Sequence, residues 1–207
     1  MGLTFYDPRA GASRDFKPAA PPAVGVALGE GSGPRERAVA AALGDVLAFL
    51  GYAAGPGREV VVGGADPGSG SAWLSVAPLG GAAPDDAALT ARGLTPADWR
   101  FFLGSTHYRR PLAVSWDALA AARGERARLE AAAREHAAVT SEPSPRALAG
   151  YLLRFREALS RDLDLPQAVE CVRDGLRPGA LSPGSRAALL RQALPALGLA
   201  APRRSPS

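Results

Sequence analysis

At 207 residues and 47% hydrophobic, the chain is long and apolar enough to bury one substantial core or two small ones, which excludes a disordered protein. Its single cysteine, Cys171, excludes an internal disulfide framework. The start Met1-Gly2-Leu3-Thr4-Phe5-Tyr6-Asp7 has neither the basic flank nor the apolar core of a signal peptide, and no apolar run is long enough to span a bilayer, so a cytoplasmic protein without a membrane partner is expected.

The first half reads as an α/β unit. Val24 to Leu28 is a short apolar strand, followed by the turn Gly29-Glu30-Gly31-Ser32-Gly33. Pro34 then suits the first position of a helix that stops at Gly51, with Val39, Leu43, Val46, Leu47 and Leu50 forming one buried stripe. Glu59 to Val62 is a second strand, and Ala72 to Val76 adds a third. Gly29, Gly31 and Gly33 leave a strand and open a helix, where backbone N–H groups and the helix dipole favour phosphate. Their Gly-x-Gly-x-Gly spacing departs from the dinucleotide fingerprint and from the P-loop, and Glu30 adds an opposing charge, so the turn reads either as a weak phosphate site or as a plain connection. From Gly63 to Pro84 the composition is that of a linker.

The second half reads as helices with strong punctuation. Thr95, Pro96 and Asp98 form a capping box for the helix Pro96 to Leu103, whose Trp99, Phe101 and Phe102 are expected to form the core of the junction between the halves. Ser115 caps a longer helix running towards Ala138. Ser144-Pro145 opens another with Leu148, Tyr151, Leu152, Phe155 and Leu159 on one side. Asp164-Leu165-Pro166 restarts the chain into a helix with Val169 and Val172, where Cys171 is expected as a small buried residue. Ser182-Pro183 opens the last, with Leu190, Leu194 and Leu197, and Pro195 is expected to kink or end it. These stripes fit an antiparallel helical bundle over 96–200, preceded by an α/β region over 1–95 and followed by a disordered tail over 201–207.

Charge follows the same division. Residues 1–95 hold 7 Lys+Arg and 9 Asp+Glu, and residues 96–207 hold 17 and 11, so the helical half carries +6 against −2 upstream. Such an arginine excess either binds phosphate backbone or forms a solvated surface.

Three separated segments resemble cysteinyl-tRNA synthetase in the same order. They are Leu3-Thr4-Phe5-Tyr6-Asp7 with Asp15-Phe16-Lys17-Pro18, then Phe101-Phe102-Leu103-Gly104-Ser105-Thr106-His107-Tyr108-Arg109-Arg110-Pro111-Leu112, then Phe155-Arg156-Glu157-Ala158-Leu159 with Asp162-Leu163-Asp164-Leu165-Pro166-Gln167-Ala168. The resemblance implies a fold of the α/β plus all-α class, with a shortened Rossmann-like nucleotide-fold remnant followed by a helical stem-contact-like bundle. It also implies losses. The family handles ATP with a His-Ile-Gly-His motif and a Lys-Met-Ser-Lys-Ser loop, and selects cysteine with zinc. Here Lys17 is the only lysine and His107 and His136 are the only histidines, both downstream of the nucleotide-binding half. With one cysteine there is no recognisable zinc set. About ten residues between Val62 and Trp73 stand where the family carries much of its catalytic domain, and the chain ends soon after Leu197-Gly198-Leu199, where the family continues into an anticodon-reading domain.

The expectation is therefore a truncated, catalytically degenerate relative with no catalytic residues, metal or cofactor. Its partner would be tRNA or another RNA, with Arg109, Arg110, Arg123, Arg126 and Arg128 as the first candidates for phosphate contact. A protein-interaction or regulatory scaffold is the alternative, and an ATP-dependent ligase-like enzyme with residual activity ranks last. His107 and Tyr108 are expected to anchor a turn between helices through ring packing and hydrogen bonds.

Overall fold

A computed structural model describes residues 3–17, 23–56, 58–68 and 70–199; the expected tail 201–207 lies outside the described residues. Strands β1 (Leu3–Asp7) and β2 (Ala12–Phe16) form an antiparallel hairpin in which Leu3 faces Phe16 and Asp7 faces Ala12. Alternation along β1 sends Leu3 and Phe5 into the core, and the Phe5 and Phe16 rings lie 5.5 Å apart.

The expected strand from Val24 to Leu28 divides at Gly25 into β3 (Ala23–Val24) and β4 (Val26–Leu28). Helix α1 (Pro34–Phe49) follows, then β5 (Ala53–Ala54), β6 (Val60–Val62) and β7 (Ala72–Leu74). All pairings here are parallel: β3 with β5, β4 with β6, and β6 with β7. Strand β6 is buried on both faces, which is why it reads Val-Val-Val without alternation. Val39, Leu43, Val46 and Leu47 are buried along α1 as the stripe predicts, while Leu50 lies past its end and is half-buried.

The stretch read as a linker contains β7 and β8 (Leu79–Gly80), and directly after it comes α2 (Asp86–Ala91), a short helix the periodicity does not reveal. The Asp85 carboxylate accepts a hydrogen bond from the Ala88 N–H at 2.7 Å and starts that helix. Helix α3 (Pro96–Leu103) has the expected capping box: Asp98 accepts from the Thr95 N–H at 2.8 Å and Thr95 Oγ1 from the Asp98 N–H at 3.2 Å. Strand β9 (Leu112–Ala113) pairs in parallel with β8. Then come α4 (Trp116–Glu135), which stops short of Ala138, α5 (Pro145–Ser160), α6 (Leu165–Leu176) and α7 (Pro183–Ala196). Helix α7 ends one residue after Pro195 and is surrounded, with Leu189, Leu190, Ala193 and Leu194 at 0–1% exposure. Among the described residues the protein is thus a mixed α/β structure rich in helix.

The main hydrophobic cluster joins the two halves directly. It combines Leu3 and Phe5 of β1, the α1 stripe and β6 with Phe155 and Leu159 of α5, Val172 of α6 and Leu194 of α7. Helix α3 plays a different part from the one its aromatic residues suggest. Phe102 is buried in a second cluster with Leu89, Leu94, Leu112 and Leu119, and Trp99 stacks on its ring at 5.5 Å. Phe101 alone of the three touches both clusters. Phe102→Ala is expected to cost about 3 kcal/mol by emptying this second cluster. Urea unfolding checks it, and a loss below about 1 kcal/mol would show that the α2–α3–α4 corner contributes little to stability.

Candidate functional site

The chain's most densely tied point is a buried carboxylate that the motifs do not single out. Asp162 and Leu163 follow α5 in left-handed backbone conformation, with φ of 58° and 52°, a strained turn for residues with side chains. The turn brings Asp162 under the N-terminal hairpin, where its N–H donates to Thr4 O at 2.8 Å and its Oδ1 accepts from the Tyr6 N–H at 2.9 Å. Thr4 Oγ1 donates to Ser160 O at 3.3 Å. The Tyr108 hydroxyl donates to the same Oδ1 from the other side. Arg109 Nε lies 2.7 Å from Oδ2 without an aligned N–H, so the contact is an ion pair and Oδ2 has no hydrogen-bond donor. The guanidinium of Arg109 also covers the Tyr6 ring at 4.3 Å.

His107 and Tyr108 behave as the sequence predicts, with rings stacked at 4.9 Å. The Arg109 N–H donates to His107 Nδ1 at 3.3 Å, which assigns the ring proton to Nε2, 3.7 Å from Asp162 Oδ2. Burial lowers the His107 pKa against the pull of Asp162. Burial, then the hydrogen bond to Asp162, raise that of Tyr108. The group is a carboxylate facing one guanidinium, with a phenol and an imidazole beside it whose ionisation burial opposes. Its chemistry is that of a clamp. It fastens together the N-terminal hairpin, the turn at 107–109 and the turn between α5 and α6, which are the three segments carrying the resemblance.

A buried arginine secures the same turn from below. Arg35, in the first turn of α1, is 1% exposed; Nη1 donates to Ala77 O at 2.7 Å and Pro78 O at 3.2 Å, and Nη2 to His107 O at 3.3 Å. Its Nε has no partner, and burial lowers its pKa. In sequence Pro34-Arg35-Glu36-Arg37 looks like an ordinary solvated helix start, so nothing there signals this role.

The glycine turn is filled by the chain itself. The Gly29 N–H donates to Val62 O at 2.9 Å, and a Cβ on Gly29 would lie 2.3 Å from Gly63 O, so this glycine permits close approach of two strand ends. The Gly33 N–H donates to the Glu36 carboxylate at 3.0 Å, placing a negative charge of the chain at the start of α1. Gly31 has φ of 73° and faces open space.

The five candidate arginines occupy two places. Arg109 and Arg110 are exposed on the turn above Asp162, and Arg123, Arg126 and Arg128 are on α4. Arg109 faces Asp162. Arg126 is mostly buried between Asp98, at 2.8 Å, and Glu130; hydrogen bonds from Thr95 and Arg126 outweigh burial and hold the Asp98 pKa low. Arg128 meets Glu125 at 2.9 Å. Among the described residues, Arg110 and Arg123 have no carboxylate partner.

A cleft of about 770 Å³ opens between α1, α3, α4, α6 and residues 197–199. Ala38, Ala42, Phe101, Ala122 and Val169 line it, and Arg100 crosses one end to donate to Gly198 O at 2.6 Å. Asp45 faces this end, its pKa raised by burial and partly restored by Arg100. Cys171 is 2% exposed and its thiol pKa is raised by burial, as suits a core residue. Among the described residues there is no group of three or more His, Cys, Asp or Glu placed to hold a metal ion, and no helix long and apolar enough to cross a membrane.

Over 130 aligned residues the chain is 35% identical to the cysteine–tRNA ligases of two strains of Treponema pallidum, one of them the Nichols strain. It is a distant relative of that family. The match covers 54% of the chain and 25% of each ligase, so the chain spans about a quarter of the length of the curated relatives it matches. No family profile matches the chain.

Proposed function

We propose that this protein is a catalytically inactive relative of the cysteine–tRNA ligases that binds tRNA or another RNA, its sheet a shortened Rossmann-like remnant and residues 96–200 a stem-contact-like bundle. The observation that carries the reading is the Asp162 clamp. The resembling segments are fastened to one another by buried polar contacts, so what the chain shares with the ligases is a frame. The groups that would handle ATP are a different matter. Both histidines are engaged within the fold, His107 in that frame against Tyr108 and Asp162, and His136 apart from it at the end of α4 with its Nδ1 2.9 Å from Ala132 O. The start of α1 is taken by the chain's own Glu36, and Lys17, the one lysine, sits beyond the hairpin strand β2. A site lacking even one preorganised electrostatic contact commonly loses about 10²- to 10³-fold in rate.

RNA binding rests on the +6 balance of residues 96–207. Of the five arginines, the proposal gives Arg110 and Arg123 first place, because their guanidinium groups need not leave a carboxylate to meet a phosphate. The test has two arms. Purified protein is expected to retain unfractionated tRNA on a filter at low salt and to lose it steeply as salt rises. It is expected to show no cysteine-dependent exchange of pyrophosphate into ATP above a no-enzyme blank. Exchange would overturn the inactivity, and absence of retention would overturn the RNA reading.

A further inference from the structure

The outer face of α4 combines an exposed aromatic ring with unpaired cations. Trp116, at the first position of the helix, is 38% exposed, and the Arg92 guanidinium lies over its ring at 3.8 Å. At about 100° per residue, Arg123 and Arg134 fall within about 20° of the line through Trp116, about 10 Å and about 27 Å along the axis. Both are exposed, and neither has a carboxylate within ion-pair distance among the described residues. Ala120 lies between Trp116 and Arg123, and Ala127 and Ala131 lie between the two arginines, all exposed; Glu130, about 40° to the other side of the line, is held by Arg126. The acidic residues of the helix are placed elsewhere or already engaged. Asp117 and Glu135 lie about 100° round from this line. Glu125 is held by Arg128 and Arg173, and Glu130 by Arg126.

We propose that this face binds a single-stranded stretch of RNA, with an unpaired base stacked on the ring of Trp116 and the backbone phosphates running along Arg123 and Arg134. The proposal rests on the RNA-binding reading and deepens it by naming the form of RNA and the surface. The chemistry follows from the arrangement. One ring face is covered by Arg92, which fixes the indole and adds positive charge, and a base would stack on the exposed part of the ring. An exposed ring offers nothing to a base inside a duplex, since only unpaired bases present their faces. The two arginines supply planar donors suited to phosphate oxygens, and no unengaged carboxylate lies along the line between them to repel the strand.

A fluorescein-labelled oligouridylate and an RNA duplex of equal length test this by anisotropy at low salt. Trp116→Ala is expected to weaken oligouridylate binding about 10- to 100-fold while leaving duplex binding unchanged. Arg123→Gln with Arg134→Gln should reduce the salt slope by about 0.7 for each phosphate no longer neutralised, whereas Arg14→Gln, on the N-terminal hairpin opposite Asp7, should leave it unchanged. Unchanged melting curves show that the variants fold. If the wild-type protein binds oligouridylate but the Trp116 and double-arginine variants bind it equally well, this face is not the site and the broader reading stands. Binding of the duplex alone also overturns the proposal. If neither these RNAs nor tRNA is bound, the broader reading falls with it, and self-association abolished by Ala127→Glu would assign the face to a second copy of the chain.

Discussion

Asp162→Ala is expected to cost about 3–5 kcal/mol, as breaking a buried charged pair does, and to loosen three parts of the molecule together. The substitution leaves the Tyr108 hydroxyl and the Tyr6 N–H without their common acceptor and the Arg109 guanidinium without its counter-charge, at a site only 7% exposed to solvent. It also places alanine at a φ of 58°, which aspartate and asparagine tolerate better. Asp162→Asn separates the contributions. An amide oxygen still serves Tyr6 and Tyr108, so only the charge opposite Arg109 is lost, and Arg109 is 41% exposed and able to rehydrate. The expected cost of that change is about 1–3 kcal/mol. Denaturant unfolding measures both, and hydrogen exchange at Tyr6 shows whether the hairpin detaches. A cost for Asp162→Ala below about 1 kcal/mol would mean that the hairpin is held by Leu3 and Phe5 alone.

The helices were legible because their signals are local. Thr95 and Asp98 lie three positions apart and cap each other, and Val39, Leu43, Val46 and Leu47 share one face by spacing alone. The parallel strands at 26–28, 60–62 and 72–74 were legible as apolar runs. The hairpin was not, because β2 is exposed and polar and shows no alternation. Helix α2 escaped notice because six residues are too few for a period, although Asp85 after Pro84 was a usable start signal. The arginines divide in the same way. The pairs Arg126–Glu130 and Arg128–Glu125 can be read from helical spacing, whereas the burial of Arg126 against Asp98 depends on how α3 meets α4. Asp162 lies inside a segment that was singled out, yet its left-handed turn and its partners 54 and 156 positions away are tertiary facts.

Arg35 poses the sharpest energetic question, because a buried cation with only carbonyl partners is unusual. Arginine does not shed its proton in proteins, so even with its pKa lowered by burial the guanidinium stays charged and is solvated by Ala77 O, Pro78 O and His107 O. Two opposing effects follow. Truncation by Arg35→Ala removes the donors and leaves a void at 1% exposure, so three carbonyls lose their partner; the expected loss is about 3–5 kcal/mol. Arg35→Met keeps most of the volume and abolishes the cost of burying a charge, which offsets part of the lost hydrogen bonding, so less than about 2 kcal/mol should be lost. Arg35→Lys should fare worse than methionine, since a compact ammonium cannot reach carbonyls on two segments with a planar fork and is more strongly hydrated than the guanidinium. Unfolding free energies in the order arginine, methionine, lysine, alanine would establish that the planar donor set joins α1 to the 77–78 and 107 backbones. A lysine variant as stable as the wild type would show instead that positive charge at that point is enough.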